Sequence, residues 1–335
     1  MKAAVYYGPR DIRVEEVAIP SITGDEVLVQ VKACGICGSD LHVYRLGLFE
    51  DALGRPTGSG AGRIMGHEMS GEVIQVGAQA EGYRVGDRIT GVCLGGFAEF
   101  ATVTTQGDRL YRLPDSISFD EATTMEPFAT SVHAVRLANV SAGETVVILG
   151  VGIIGLGCIQ ALRATTDCRI IAVDASPRRL ELAEALGADA TVDLTASDPV
   201  EAVIELTGGA QQPGRFQVRG GNADVVIDCA GAKASPNQGL LMLKQMFGRL
   251  VLVALFERQP ELDFNQVVRK HVTIHGSWTW TGDDFRQAIA LVAEGNVDRK
   301  RLISHTFALD DAAEAFAVQD QPAAAVKVLL RPWGE

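Results

Sequence analysis

The sequence lacks the features that would export it or place it in a membrane. Residues 1–8 contain no apolar segment typical of a signal peptide. No stretch reaches the roughly 18 uninterrupted apolar residues of a membrane-spanning helix. Cysteine is scarce, with 6 residues in 335, too few and too scattered for a secreted disulfide framework. The sequence therefore predicts a cytoplasmic protein with reduced thiols and no membrane partner.

An excess of positive charge is also missing. The formal net charge is −12, from 30 Lys+Arg and 42 Asp+Glu, and no Lys/Arg cluster stands out against it. Nucleic-acid backbones bind to basic surfaces, so a nucleic acid is not expected as a partner. With 47% hydrophobic residues, a chain of 335 residues is large enough to bury the cores of two domains.

The chain contains two segments with different patterns of strand-like and helix-like sequence. Residues 2–110 contain short strand-like segments broken by glycine and proline, which predicts an antiparallel, barrel-like β region. A helical segment is expected over 120–137, and strands then alternate with helices, which is typical of a doubly wound parallel sheet. The six expected strands are 145–149, 169–173, 190–193, 223–228, 248–253 and 271–276. The helices expected between them are 152–164, 177–186, 199–206, 235–246 and 265–269. The last expected strand, 326–330, does not continue the alternation and should return to the first domain.

A glycine-rich turn joins the first of these parallel strands to its helix. The turn is a GxGxxG pattern formed by Gly150, Gly152 and Gly155, with Val151, Ile153 and Ile154 at the variable positions. We assign Gly150, Gly152, Ile153, Ile154 and Gly155 to the cofactor site. Glycine allows a pyrophosphate to approach the backbone, and the first helical turn offers free N–H groups. Asp174, at the end of the next strand, is suited to accept hydrogen bonds from ribose hydroxyls and to repel a 2′-phosphate, which favours NAD over NADP. Arg178 and Arg179 follow, either as phosphate contacts or as solvated residues; we include Arg179 in the cofactor site.

A cysteine, a histidine and a glutamate indicate a metal site in the β region. Cys37 begins the segment Cys-Gly-Ser-Asp-Leu-His, and His67 and Glu68 are adjacent. One thiolate, one imidazole and one carboxylate do not close a tetrahedral zinc shell, and catalytic zinc needs an open position. Cys34 and Cys37 also form a CxxC pattern, but they lack the βαβ setting of a redox dithiol.

These segments together resemble the zinc-dependent alcohol dehydrogenase branch of the medium-chain dehydrogenase/reductase superfamily over nearly the whole chain. The segments that carry the resemblance are 34–42, Gly-His-Glu at 66–68, Val-Gly-Asp-Arg at 85–88, Gly-Gly-Phe-Ala-Glu-Phe at 95–100, Glu-Pro at 126–127 and the glycine turn. The polyol, threonine and butanediol dehydrogenases are the most similar members. The resemblance implies a GroES-like, β-rich catalytic domain formed by 1–127 and 276–335, and a Rossmann NAD-binding domain over 128–275.

The resemblance also implies a ligand set for one zinc ion. Cys37 and His67 would bind the metal, with Glu68 as a ligand in some states. Glu126 occupies the position where these relatives carry a glutamate that reaches zinc directly or through water.

Three further residues match positions of the family that move protons or orient ligands. Ser39 and His42 match a relay that releases the proton of the alcohol, and Asp40 matches a carboxylate that orients the zinc-binding imidazole. Ordinary turn chemistry near a helix start is the alternative for Ser39 and His42.

The chain departs from the family in two segments. Most members carry a lobe with four cysteines that binds a structural zinc; here six residues join Arg88 to Gly95, and Cys93 is the only cysteine among them. One zinc per chain is therefore expected. The segment 43–64 is long and either lines the substrate entrance or is a solvated connector.

The sequence thus predicts an NAD-dependent zinc enzyme that oxidises a secondary alcohol of a polyol, sugar or cyclitol to the ketone. A homodimer or homotetramer is implied by the resemblance. A zinc-free quinone or enone reductase of the same superfamily is one alternative, and it would require vestigial metal ligands. A non-enzymatic binding protein on this fold is another.

Overall fold

The computed structural model describes residues 1–48, 50–57, 62–209, 220–321, 323 and 325–334. The chain divides into two units: unit 1 comprises Met1–Pro127 and Thr281–Glu335, and unit 2 comprises Phe128–Trp280. Positions 49 and 58–61 of the segment 43–64 lie outside the described residues. Among the helices described, none is long and apolar enough to cross a membrane.

The described elements follow the change of pattern in the sequence. The strands, in chain order, are β1 Lys2–Gly8, β2 Asp11–Glu16, β3 Glu26–Gly35, β4 Arg55–Pro56, β5 Arg63–Ile64, β6 Glu68–Val76, β7 Arg88–Val92, β8 Phe100–Thr104, β9 Leu110–Arg112, β10 Thr145–Leu149, β11 Arg169–Asp174, β12 Ala190–Asp193, β13 Val225–Asp228, β14 Arg249–Leu252, β15 Thr273–Gly276, β16 Ile303–Ala308 and β17 Lys327–Arg331. The α-helices are α1 Gly38–Leu46, α2 Glu50–Leu53, α3 Phe119–Ala122, α4 Met125–Ala138, α5 Ile153–Thr165, α6 Pro177–Ala185, α7 Pro199–Thr207, α8 Ser235–Met242, α9 Phe264–Lys270, α10 Gly282–Ala293 and α11 Ala312–Gln319. Short 3-10 helices cover Lys300–Leu302 and Leu309–Asp311.

Unit 1 is built on two sheets. One has the order β2-β1-β5-β4, and the other has the order β16-β17-β3-β6-β7-β9 with β8 added to β3. Strand β3 pairs with β6, β8 and β17, all antiparallel. Apolar side chains of these strands and of α11 form one core, in which Phe316 packs against the rings of Tyr44 and Phe97. β3 is therefore the central strand around which unit 1 is organised.

Unit 2 is a parallel sheet in the order β12-β11-β10-β13-β14-β15. Its inner strands consist mostly of apolar residues, as in Thr145–Leu149, because helices cover both faces of such a sheet. The doubly wound sheet predicted from the sequence is confirmed. The strand order reverses between β10 and β13, and ligands of doubly wound sheets bind at such a point, beyond the carboxyl ends of the strands.

The single helix expected over 120–137 is wrong in one respect, because the structure has two helices there. α3 ends at Ala122, and α4 begins at Met125. Between them the hydroxyls of Thr123 and Thr124 donate to the carbonyl oxygens of Asp120 and Glu121, each at 2.7 Å. These side-chain bonds compete with the backbone ladder and interrupt it.

The expected helix over 235–246 is also too long, since α8 ends at Met242. Leu243 is extended, with φ −68° and ψ 149°, and it forms a parallel bridge with Ala223. The buried ammonium of Lys270 donates to the carbonyl oxygens of Leu240 at 2.7 Å, Leu241 at 3.3 Å and Leu243 at 2.8 Å. Lys270 thus supplies donors for carbonyls that the end of a helix leaves unbonded.

We expect Lys270→Met to lower the free energy of unfolding by about 3 kcal/mol, because three buried carbonyls lose an ammonium donor. Urea unfolding followed by circular dichroism measures the change. The matched control is Lys233→Met, whose ammonium is 59% exposed beside Glu261, with an expected change below about 0.5 kcal/mol. Equal unfolding curves for both variants would contradict the capping role.

Candidate functional site

The register of two neighbouring strands brings the candidate metal ligands together. Gly35, the last residue of β3, is the cross-strand partner of Glu68, the first residue of β6. Cys37 follows Gly35 by two residues and His67 precedes Glu68 by one, so both lie at the same end of the strand pair. Potential ligand atoms of Cys37, His67 and Glu68 lie within 4.8 Å of one another. We refer to these three residues as the donor cluster.

Two glycines make room for the donor cluster. A Cβ on Gly35 would lie 2.4 Å from Oε2 of Glu68. A Cβ on Gly66 would lie 2.8 Å from the backbone nitrogen of Phe97, and the φ of Gly66 is +94°, where side chains are strained. A side chain at Gly35 would displace the carboxylate of Glu68, and a side chain at Gly66 would strain the backbone that leads into His67.

Asp40 links two members of the donor cluster. Its Oδ2 accepts the backbone N–H of Cys37 at 2.9 Å, at the N-terminus of α1. Its Oδ1 faces Nδ1 of His67 at 3.6 Å, and the side chain is fully buried. The other ring nitrogen, Nε2, lies 3.5 Å from the hydroxyl of Ser39. Asp40 therefore lies on the Nδ1 side of the imidazole, and Ser39 lies on the Nε2 side.

Lys327 is a residue of this site that the sequence analysis missed. Its Nζ donates to Oε2 of Glu68 at 2.5 Å and to the carbonyl oxygen of Ile36 at 3.0 Å. The lysine and glutamate side chains are at most 1% exposed. Lys327 begins β17, which pairs with the end of β3. One lysine inside the apolar run 325–330 is the signal that could have identified it, because a buried ammonium needs partners.

The charges around the donor cluster suit a dication. The thiol of Cys37 and the carboxylates of Asp40 and Glu68 are accompanied by one ammonium, that of Lys327, which contacts Glu68. With the thiol ionised and His67 neutral, as metal binding requires, these groups sum to two negative charges. Oε1 of Glu68 is buried and has no hydrogen-bond partner in the described structure. Sulfur, nitrogen and oxygen donors that leave one position open fit a catalytic zinc ion.

The protonation of the cluster points to the same conclusion. Burial lowers the pKa of His67, but the charges of Asp40 and Cys37 outweigh it and raise the pKa well above its ordinary value. Burial and the charge of Glu68 raise the pKa of the Cys37 thiol. The cluster alone thus retains protons, which a bound cation would displace.

Two other predicted residues lie outside the donor cluster. His42 is partly buried and lies one turn beyond Ser39 on α1. Glu126 is partly buried in the first turn of α4. Burial lowers the pKa of Lys327, and the charges of Glu68, Cys37 and Glu126 together raise it above the ordinary value. Glu126 is therefore close enough for its charge to act on the ammonium beside the cluster.

In unit 2, the glycine turn has the local geometry of a dinucleotide site. Gly150 has a φ of +80°, and a Cβ there would lie 2.7 Å from Cα of Ala230. A Cβ on Gly155 would lie 2.1 Å from the carbonyl oxygen of Gly150. Gly152 is the N-cap of α5 and supplies no side-chain hydrogen bond to the first turn, which begins with Ile153 and Ile154. The first N–H groups of the helix are thus left for a phosphate.

Asp174 connects this turn to the neighbouring strand. Its Oδ2 accepts the N–H of Val151 at 2.8 Å, and its Oδ1 accepts the N–H of Ser176 at 2.9 Å. Each carboxylate oxygen keeps a second lone pair for a ribose hydroxyl. Arg179, on α6, reaches the same turn: its Nη1 lies 3.9 Å from the position of a Cβ on Gly152.

Two family profiles match this chain. The family profile described as alcohol dehydrogenase GroES-like domain matches residues 23–115. The profile described as zinc-binding dehydrogenase matches residues 154–294. The predicted combination of a GroES-like β-rich domain and a Rossmann sheet is confirmed.

Individual relatives match this chain over nearly its whole length. The (R,R)-butanediol dehydrogenase of Bacillus subtilis is 32% identical over 99% of this chain and 100% of its own length. A sorbitol dehydrogenase of the same organism is 30% identical over 94% of this chain and 92% of its own length. The crystal structure of 2R,3R-butanediol dehydrogenase from Bacillus subtilis superposes with a TM-score of 0.85, covering 99% of both chains at 32% identity. A Sinorhizobium meliloti protein described as a zinc-binding dehydrogenase, bound to NADP, has a TM-score of 0.82 at 29% identity over 99% of both chains.

The resemblance found in the sequence is thereby confirmed. The two family profiles lie in the order expected for a GroES-like domain followed by a dinucleotide-binding domain. The chain belongs to the zinc-dependent alcohol dehydrogenase branch of the medium-chain dehydrogenase/reductase superfamily, in the group of the polyol and butanediol dehydrogenases.

Proposed function

We propose that the enzyme oxidises a secondary alcohol of a polyol, sugar or cyclitol to the ketone, with NAD as hydride acceptor and one zinc ion held by Cys37, His67 and Glu68. The donor cluster is the observation that carries this proposal, because its ligand atoms lie within 4.8 Å of one another. In the protonation states that metal binding requires, the cluster with Asp40 and Lys327 carries two negative charges, which a zinc ion would neutralise. Bound zinc supplies a Lewis acid that makes an alcohol hydroxyl acidic, and bound NAD supplies the hydride acceptor.

We assign catalysis to unit 1 and cofactor binding to unit 2. Unit 1 contains the donor cluster, and unit 2 contains the glycine turn with Asp174. The boundaries proposed from the sequence, 127/128 and 275/276, lie close to the division at Pro127/Phe128 and Trp280/Thr281.

The residues around the cluster have separate tasks in this proposal. Asp40 holds the imidazole of His67 in place, and Lys327 holds one oxygen of Glu68 while the other faces the site. Ser39, whose hydroxyl lies 3.5 Å from Nε2 of His67, would accept the proton of the alcohol and pass it to His42, one turn further along α1. Glu126 is proposed as the fourth protein residue that contacts the metal.

NAD is proposed as the cofactor because of Asp174. Its buried carboxylate would meet a 2′-phosphate with a like charge, whereas ribose hydroxyls would find acceptors. Arg179 is the residue that could reverse this preference, and a family member binds NADP. The catalytic efficiency with each cofactor, measured on one substrate, decides between them.

The main test is an NAD-linked activity screen over diols, polyols, sugars, aminocyclitols and β-hydroxy amino acids, with metal analysis. We expect one zinc per chain, because the described residues contain one group of three clustered ligands. Cys37→Ser should lose zinc and at least about 100-fold in activity, since a thiolate ligand and the Lewis acid are lost together. Cys168→Ser, a buried cysteine of unit 2, is the matched control and should retain both. Chelator-insensitive turnover would favour the zinc-free reductase.

Lys327→Met should destabilise the metal-free protein by about 3 kcal/mol, because Glu68 stays buried without its ammonium. Zinc should then restore more stability in the variant than in the wild type, since the dication replaces the missing positive charge. Thermal unfolding with and without zinc measures both effects. Lys2→Met, whose exposed ammonium pairs with Asp310, serves as the control with little change. An equal gain from zinc in all three proteins would refute the balancing role.

We also propose a homodimer or homotetramer formed through one edge of unit 2. β15 ends the described sheet, and apolar side chains nearby are exposed: Phe264 by 68%, Val268 by 73% and Trp278 by 68%. An open strand edge beside apolar side chains is suited to pairing with another copy. Light scattering should show that Val268→Glu dissociates the oligomer, whereas Leu194→Glu, an exposed leucine after β12, should not. A monomeric wild type would refute the proposal.

The cytoplasmic location expected from the sequence stays a prediction. All six cysteines are free thiols, which agrees with a reducing compartment. Fractionation of the source cells would test it.

A further inference from the structure

The loop that joins β13 to α8, residues 229–234, packs against the glycine turn of unit 2. It leaves the carboxyl end of β13, beside β10, where the strand order of the sheet reverses. The N–H of Cys229 donates to the carbonyl oxygen of Leu149, the residue before the turn, at 2.8 Å. Cα of Ala230 lies 2.7 Å from the position of a Cβ on Gly150, and its backbone nitrogen lies 2.8 Å from it. The β13–α8 loop therefore directly contacts the first glycine of the turn.

Asp228, the last residue of β13, holds this loop with its side chain. Oδ1 accepts the N–H groups of Ala230 at 3.0 Å and Gly231 at 3.4 Å. Oδ2 accepts the hydroxyl of Ser235, the first residue of α8, at 2.6 Å. The aspartate is fully buried. One side chain thus binds both the beginning of the loop and the helix that follows it, and we refer to these three hydrogen bonds as the Asp228 clamp.

The clamp consists of donors that suit a carboxylate. Burial raises the pKa of Asp228, and the three hydrogen bonds of the clamp oppose that rise. An alanine at this position would remove three accepted hydrogen bonds from a fully buried site. The loop would then lose the contacts that hold it beside Gly150, while its exposed residues, such as Ala230 and Ala232, offer little packing to replace them.

The glycine turn has open space at the start of α5. Among the described residues outside its own helix and chain neighbours, only Nη1 of Arg179 comes within 4 Å of a Cβ position on Gly152, at 3.9 Å. Gly150 and Gly152 are both partly exposed. The first N–H groups of a helix bind phosphate well only when they are held in a fixed arrangement. The structure therefore combines an accessible turn with a buried group that restrains its neighbouring loop.

We propose that Asp228 is a positioning residue for the dinucleotide. It holds the β13–α8 loop against Gly150 and thereby fixes the backbone N–H groups of the glycine turn that receive the pyrophosphate. The inference rests on the proposed function and adds a residue that neither touches the cofactor nor belongs to the GxGxxG pattern. A turn that is fixed before binding loses less conformational entropy when the ligand arrives, so the clamp contributes to affinity.

Calorimetric titration of the zinc-loaded protein with NADH tests the inference. Asp228→Ala should raise the Kd at least about tenfold, because the turn loses its restraint. Asp228→Asn should stay within about threefold of the wild type, since its amide oxygen still accepts the backbone N–H groups. Its amide nitrogen can donate to Oγ of Ser235, whose hydroxyl then donates to the carbonyl oxygen of Ala232, 2.8 Å away. The conservative variant therefore tests the hydrogen bonds separately from the charge.

Asp224, which precedes the same strand, provides the matched control. Its carboxylate accepts the N–H of Thr145 at 2.8 Å and the ammonium of Lys244 at 2.6 Å, at the end of the sheet opposite to the glycine turn. Asp224→Ala should lower the unfolding temperature, as Asp228→Ala does, but should leave the Kd for NADH unchanged. Thermal unfolding of both variants thus separates a loss of stability from a loss of positioning.

Other results would overturn the inference. An unchanged Kd in Asp228→Ala, or an equal loss in Asp224→Ala, leaves the proposed function intact and removes the positioning role. A loss in Asp228→Asn as large as that in Asp228→Ala has the same meaning. If Asp228→Ala does not fold, Ser235→Ala decides, because it removes one bond of the clamp: a rise in Kd of at least about threefold supports the inference, and no rise overturns it.

Failure of the proposed function is recognised separately. If no alcohol in the activity screen is oxidised, that proposal fails, but the titrations still decide the inference because binding of NADH needs no substrate. A wild type that binds neither NADH nor NADPH overturns both.

Discussion

The buried contact between Glu68 and Lys327 is the interaction on which the candidate metal site depends. It joins β6 to β17 across the central strand β3, and Gly35 is the residue of β3 that leaves space for it. The lysine holds one oxygen of the carboxylate, and the second oxygen is buried without a hydrogen-bond partner among the described residues. The geometry of the site therefore depends on the pairing of β6, β3 and β17 as well as on the three donor residues.

The two units recognise their ligands by different means. In unit 1 the recognising atoms belong to side chains, and their geometry is set by neighbouring charged groups such as Asp40 and Lys327. In unit 2 the phosphates would meet backbone N–H groups, so recognition depends on where side chains are absent, at Gly150, Gly152 and Gly155. Asp174 adds one charged group to that backbone surface. We therefore expect substitutions at Asp40 or Lys327 to act through electrostatics, and substitutions at the three glycines of the turn to act through sterics.

Much of the fold was readable from local patterns. The parallel strands and the glycine turn depend on residues close in sequence, and the motif that contains Cys37 could be paired with His67 and Glu68 by resemblance. The end of α8 could not be predicted from the neighbouring sequence, because Lys270, which donates to the carbonyls at that end, lies 27 residues beyond Leu243. The contact of Lys327 with Glu68 spans 259 positions. Such contacts follow from tertiary pairing rather than from periodicity.

The separation between Glu68 and Lys327 has a consequence for assembly during synthesis. Unit 2 is one continuous stretch, so all of its strands are available before β16 and β17 have been made. A nascent chain that has reached residue 300 already contains Cys37, His67 and Glu68, but it lacks the ammonium that balances them. The carboxylate of Glu68 therefore has no ammonium beside it until β17 pairs with β3. The order of the elements along the chain thus makes the final strand the step that completes the site.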